Sequence, residues 1–167
     1  MPTAHPGFPT PNPGAVSIGD RNQGSCERVS RATVEGMTWH VEHVTRTIRA
    51  TPEAVALVAG DPAQLPRWAA GLSSGIRREG EHWITDSPMG AVEVRFTGPV
   101  EAGILDHDVI LPDGTTVRNP FRVLSNDDGS EVVFSVFQRD GMSDDEFAAD
   151  VRAVGDDLAR LAGLVES

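Results

Sequence analysis

The sequence predicts an α+β fold: a curved antiparallel sheet of about six to seven strands wrapped around a long C-terminal helix, with two short helices after the first strand. Three observations carry this expectation. Short apolar segments punctuated by turn residues fill the middle of the chain. A proline-marked helix start follows directly on the first of the strand-like segments. The chain then closes on one long amphipathic stretch whose apolar stripe needs a sheet to cover it. With 167 residues, the chain fits a single domain with a solid core or with a core that encloses a cavity.

The elements follow in order. Residues 1–36 show no hydrophobic period, and Met1 to Pro13 alone holds five prolines. Such a segment buries too little surface to offset its ordering entropy, so a disordered tail is expected there and a folded domain in residues 37–167. Met37, at the edge of the ordered pattern, is a candidate for an alternative start of translation. From Trp39 to Arg49, the residues Val41, Val44 and Ile48 among threonines read as a strand. Thr51 is an N-cap residue and Pro52 suits the first helical position, which predicts a short helix over Glu53 to Ala59. Asp61-Pro62 opens a second helix, interrupted by Pro66 and ending near Gly71.

Strands are expected around Gly75–Glu79, His82–Thr85, Val92–Thr97 and Glu131–Gln138. Glu79-Gly80, Ser87-Pro88-Met89-Gly90, Gly98-Pro99 and Asn126-Asp127-Asp128-Gly129 supply the turn chemistry between them. Ser143-Asp144-Asp145-Glu146 is a capping box with three acids at the positive end of a helix, and the helix runs to about Val165. Phe147, Val151, Val154, Leu158, Leu161 and Val165 recur along it at helical spacing.

The most informative segment is a hairpin between Gly103 and Val123. Pro112-Asp113-Gly114 suits a three-residue loop, with proline first and glycine in the left-handed third position. That loop pairs Leu111 with Thr115, Val109 with Val117, His107 with Asn119 and Leu105 with Phe121. One face then carries His107 and Asn119 among Leu105, Val109, Val117 and Phe121, whereas Asp106, Asp108, Arg118 and Arg122 take the other. Burying two polar side chains unpaired costs about 1–3 kcal/mol each, so the pair marks a candidate site. Two readings compete. His107 and Asn119 orient a ligand, with His107 also able to act as a general base near neutral pH, or they satisfy each other within the sheet. Pro120 removes a ladder donor, and a bulge there would turn Asn119 outward.

Around this pair, Trp68, Trp83 and Phe96 could line a pocket for a planar ligand or form plain core. Val109 and Phe121 share the inner face of the hairpin, and Phe147 and Val151 face the sheet from the last helix. Asp106, Asp108, Arg118 and Arg122 read as a solvated cross-strand ion-pair ladder. His40 and Glu42 share one strand face while His43 takes the other, so no metal site is expected.

Composition narrows the functional classes. A formal net charge of −11 argues against nucleic acid as a partner. The single cysteine, Cys26, leaves no intrachain disulfide, and thiol catalysis and cysteine-rich zinc sites are not expected. No apolar run approaches the roughly 18 residues of a membrane span, and no signal-peptide layout opens the chain, so a cytoplasmic protein is expected. No phosphate-cradling glycine loop or nucleophile elbow is present, and no cofactor is expected.

Several segments together resemble the SRPBCC superfamily (the START-like, polyketide cyclase/dehydrase or Bet v 1-like group). They are Ile48-Arg49-Ala50-Thr51-Pro52-Glu53-Ala54-Val55, Asp61-Pro62 with Trp68, Ser87-Pro88-Met89-Gly90, and Met142 to Phe147 with Asp157-Leu158 and Leu161. The match spans roughly Val41 to Glu166. The resemblance implies a helix-grip fold with a deep apolar cavity between sheet and long helix, and small hydrophobic molecules as the usual cargo. Members range from carriers and ligand sensors to aromatase/cyclases and chaperone-binding domains, so the fold does not select the function. Polyketide cyclases of the group use cavity arginines, histidines and tyrosines. Here tyrosine is missing and both hairpin arginines are expected to point outward.

The leading expectation is a monomer or homodimer that binds a small hydrophobic molecule, aromatic ones included, through the His107–Asn119 pair. A cyclase, aromatase or dehydratase using His107 as acid/base is the first alternative, and a protein-interaction domain the second.

Overall fold

The computed structural model describes residues 38–72, 75–87 and 90–167. The expected tail, the alternative start at Met37 and the central Pro88-Met89 of one turn lie outside the described residues.

β1 (His40–Ile48) leads into α1 (Pro52–Ala59), where the Thr51 hydroxyl accepts from the Ala54 N–H at 3.3 Å. A 3₁₀ turn over Pro62–Gln64, capped by Asp61, precedes α2 (Leu65–Trp68). Pro66 does not interrupt this helix. It occupies the first turn, where the missing N–H has no intrahelical partner to lose. The next strands are β2 (Ile76–Glu79), β3 (His82–Ser87), β4 (Gly90–Phe96), β5 (His107–Ile110) and β6 (Thr116–Asn119). β7 (Phe121–Asn126) and β8 (Gly129–Gln138) complete the sheet, and α3 (Asp144–Val165) ends the chain. The capping box at α3 is formed in both directions: Ser143 N–H donates to the Glu146 carboxylate at 2.9 Å, and Glu146 N–H donates to Ser143 Oγ at 3.3 Å.

All strand pairs are antiparallel, in the orders β2-β3-β4-β5-β6 and β1-β8-β7. Pro120 joins the two groups. β6 and β7 are the halves of one bent strand, and counting it once gives seven strands among the described residues. In register, Pro120 lies opposite Asp106 and has no N–H to give. The next N–H, that of Phe121, donates instead to the Asp106 carboxylate at 2.9 Å, and the Pro120 carbonyl accepts from Ser135 N–H of β8 at 3.0 Å. From this residue on the strand pairs with β8, while Leu105 N–H still donates to the Phe121 carbonyl and Val123 N–H to the Gly103 carbonyl, each at 2.9 Å. The hairpin register matches the expected one, with His107 opposite Asn119 and Val109 opposite Val117. Gly114 takes the left-handed position at φ 86°.

The core is filled by fully buried Ile48, Val55, Leu105, Phe121, Val132 and Leu161, which join β1, α1, the bent strand and α3. α3 packs against β1 and β8, and α1 and α2 flank it. Two buried hydroxyls donate to backbone carbonyls, Ser130 to Ala50 and Thr85 to Gly75, each at 2.6 Å. Neither polar group therefore costs the core an unmade bond. Among the described residues, no helix is long and apolar enough to cross a membrane.

Candidate ligand-binding site

The sheet and α3 do not close on each other everywhere. An outer cleft of about 490 Å³ and an inner chamber of about 170 Å³ share the walls Gly71, Asn119, Phe134, Val154 and Asp157. The chamber is bounded further by Leu65 and Trp68 of α2, His107 and Val109 of β5, and Leu158 of α3. Trp39, Arg118 and Arg139 border only the outer cleft.

His107 is 8 % exposed, and its position follows from strand alternation: Leu105, His107 and Val109 share one side. Its Nδ1 lies 3.0 Å from the Leu105 carbonyl. A carbonyl oxygen can only accept, so Nδ1 carries the proton and Nε2 of the neutral ring is an acceptor. Burial holds the imidazole below its ordinary pKa, against the opposing effects of the Leu105 carbonyl and the Asp108 charge. Phe96 and Phe134 brace the ring, with centroids at 5.5 and 6.0 Å. The anchor is thus a neutral, oriented acceptor.

Although His107 and Asn119 are cross-strand neighbours, their side chains do not bond to each other. Nor does the Asn119 amide have a protein partner among the described residues. The bend at Pro120 leaves Asn119 on the cavity side instead of turning it outward. Trp68 adds a second such group: its buried Nε1 is a donor without a partner among the described residues. Unsatisfied buried polar atoms are uncommon in folded proteins, so Trp68 Nε1, beside the half-buried Asn119 amide and His107 Nε2, calls for an explanation.

The charges on the other face pair across the strands as expected, but the ladder is not fully solvated: Asp108 is buried beneath its arginine. Arg118 binds Asp108 through both carboxylate oxygens at 3.0 and 3.2 Å, and Arg122 pairs with Asp106. The Arg118 guanidinium, donating to it, holds the Asp108 carboxyl below its ordinary pKa. His40 stacks on Phe147 and His43 bonds Ser135, so these histidines have structural contacts of their own.

Of the residues expected at the site, the structure brings Trp68, His107, Val109 and Asn119 to the chamber. It leaves five elsewhere. Trp83 lies further along the sheet beneath the Arg78 guanidinium, and Phe96 stands behind His107. Phe121 is fully buried between Trp68 and Phe134. Phe147 packs on His40 near the start of α3, and Val151, one turn on, borders neither space.

Sequence reasoning missed Phe134, Val154 and, above all, Asp157. Burial raises the Asp157 carboxyl above its ordinary pKa, against the Ala70 N–H that donates to it at 3.0 Å and the nearby Arg160 charge. The signal was a carboxylate three residues after Val154 and four before Leu161, within the apolar stripe of α3.

No family model matches the chain, and no curated protein matches it in sequence. Solved structures do. The Aha1 dimer from Colwellia psychrerythraea superposes with a TM-score of 0.61 at 14% identity, over 76% of this chain and 96% of that one. Ara h 8.0201 gives 0.55 at 19%, over 75% and 97%. DynU16, from the dynemicin biosynthetic locus, gives 0.57 at 16%, over 76% of this chain and 47% of that longer one. These are Bet v 1-like (SRPBCC) structures, and this chain shares their helix-grip architecture. Identities this low carry the fold and leave function to the site.

Proposed function

We propose that residues 37–167 form a ligand-binding domain that holds a small, largely apolar molecule between sheet and α3, oriented by His107, Asn119 and Trp68. One observation carries this reading: the partnerless Trp68 Nε1, the Asn119 amide and the open Nε2 of His107 border a common apolar-walled space. A ligand bonded to them would supply the missing partners. The outer cleft, at about 490 Å³, falls within the roughly 300–1,000 Å³ of small-molecule sites.

Native mass spectrometry of the purified protein tests the reading. The expected result is a retained small molecule that is lost in Val109→Phe, whose added ring fills the chamber without unfolding the domain. Undiminished retention in Val109→Phe, at unchanged thermal stability, would place the ligand elsewhere.

A second reading is proton transfer on a bound carbonyl compound, with His107 as the base. The neutral, oriented imidazole favours it, because Nε2 is free to accept a proton. It requires conversion of the bound molecule, with a rate that follows His107 titration. Recovery of the molecule unchanged speaks for binding alone.

A further inference from the structure

We infer that the inner chamber selects an uncharged, hydroxyl-bearing ring over a carboxylate, and that Asp157 imposes this selection. The inference rests on the binding reading above and specifies its ligand class.

The chamber walls set the terms. Trp68 Nε1 can only donate, His107 Nε2 can only accept while the ring is neutral, and the Asn119 amide does both. Asp157 enters from α3, facing the hairpin. One of its oxygens is engaged by Ala70 N–H at 3.0 Å and by the Arg160 guanidinium, and the other has no protein partner among the described residues. Among the described residues, no arginine borders the inner chamber. Arg118 and Arg139 stand at the outer cleft, and Arg118 is already committed to Asp108.

An anionic head group would thus lose its hydration, meet no arginine on the described chamber wall and face a carboxylate whose one cation, Arg160, is already bonded to it. A hydroxyl meets the opposite situation. It can donate to His107 Nε2 or Asp157 while accepting from Trp68 Nε1 or Asn119. The size agrees: a cavity of about 150 Å³ admits benzene, and the chamber measures about 170 Å³, room for one ring with the remainder of the molecule in the outer cleft.

Calorimetric titration of the full-length protein at neutral pH with naphthalene, naphthol and naphthoate tests this. The expected order on wild type is naphthol tightest, with naphthoate at least about tenfold weaker than naphthol. Asp157→Asn, which keeps an acceptor for Ala70 N–H, should narrow that ratio to roughly threefold or less by removing the like charge. Naphthoate binding wild type as well as naphthol overturns the inference, as does an unchanged ratio in Asp157→Asn. The wild-type ratio decides the ligand class by itself if the variant does not fold. Naphthalene binding without a preference for naphthol sinks this inference alone, whereas failure of all three probes on wild type sinks the binding reading with it.

Discussion

Replacing Asn119 by valine should make the ligand-free protein more stable and the binding site worse. The amide is half-buried on β6 and has no protein partner among the described residues. Valine removes a polar group whose burial unpaired costs about 1–3 kcal/mol, and partial exposure reduces that gain to roughly 0.5–1.5 kcal/mol. Valine also fits a strand better than asparagine does, on a scale that spans about 1 kcal/mol. Together these give roughly 1–2 kcal/mol of added stability. In a domain of this size that is a rise in Tm of roughly 3–8 °C. Affinity should move the other way, because a ligand atom satisfied by the amide loses its bond: about 1–2 kcal/mol, or roughly 5–30-fold in Kd. Thermal melts of protein refolded from denaturant, to strip any bound molecule, measure the first effect. Calorimetric titration with naphthol measures the second. A loss of stability above about 1 kcal/mol would mean that the amide makes an internal bond. Unchanged affinity would remove Asn119 from the site.

Two further outcomes follow from the geometry. Because burial lowers the His107 pKa in the folded state, the unfolded chain binds the extra proton first as pH falls below about 6.5. Stability from this group is therefore full above that value and declines as pH drops towards the folded-state pKa. Urea denaturation across that window should show a steeper decline in wild type than in His107→Gln, and parallel curves would remove the buried imidazole as the cause. Gly103 has φ 72°, and a Cβ there would stand 2.5 Å from the Val123 carbonyl oxygen. Gly103→Ala should cost about 1–2 kcal/mol for the left-handed backbone and about 1 kcal/mol more for the disturbed Val123 N–H to Gly103 carbonyl bond. Chemical denaturation showing a loss below about 1 kcal/mol in total would refute this.

Much of the fold was legible because short-range rules decide it. Thr51-Pro52 and Ser143 to Glu146 start helices wherever they occur, since they satisfy the first free N–H groups locally. The Pro112-Asp113-Gly114 loop fixed the hairpin register, and with it the faces of His107, Asn119, Asp108 and Arg118. Pro120 was harder to read. A missing donor can produce a bulge or a bend, and here the Asp106 carboxylate takes the Phe121 N–H while the strand, still bonded to Gly103–Leu105, adds β8 on its other side.

What the sequence determined by itself was the order of elements and which residues face inward, because periodicity and turn chemistry act over a few residues. It could not say which inward residues meet a neighbour and which meet a cavity. Phe121, Phe147 and His107 are all inward and apolar-flanked, yet only His107 borders the chamber. That difference depends on where α3 and α2 stand relative to the sheet at each level, a distance set by the packing of Leu158, Leu161 and Trp68 against strands far away in the chain. The same packing brought Asp157 opposite His107 and Asn119. The polar pair was written in the hairpin; its acidic counterpart and the space between them arose only when the helix met the sheet.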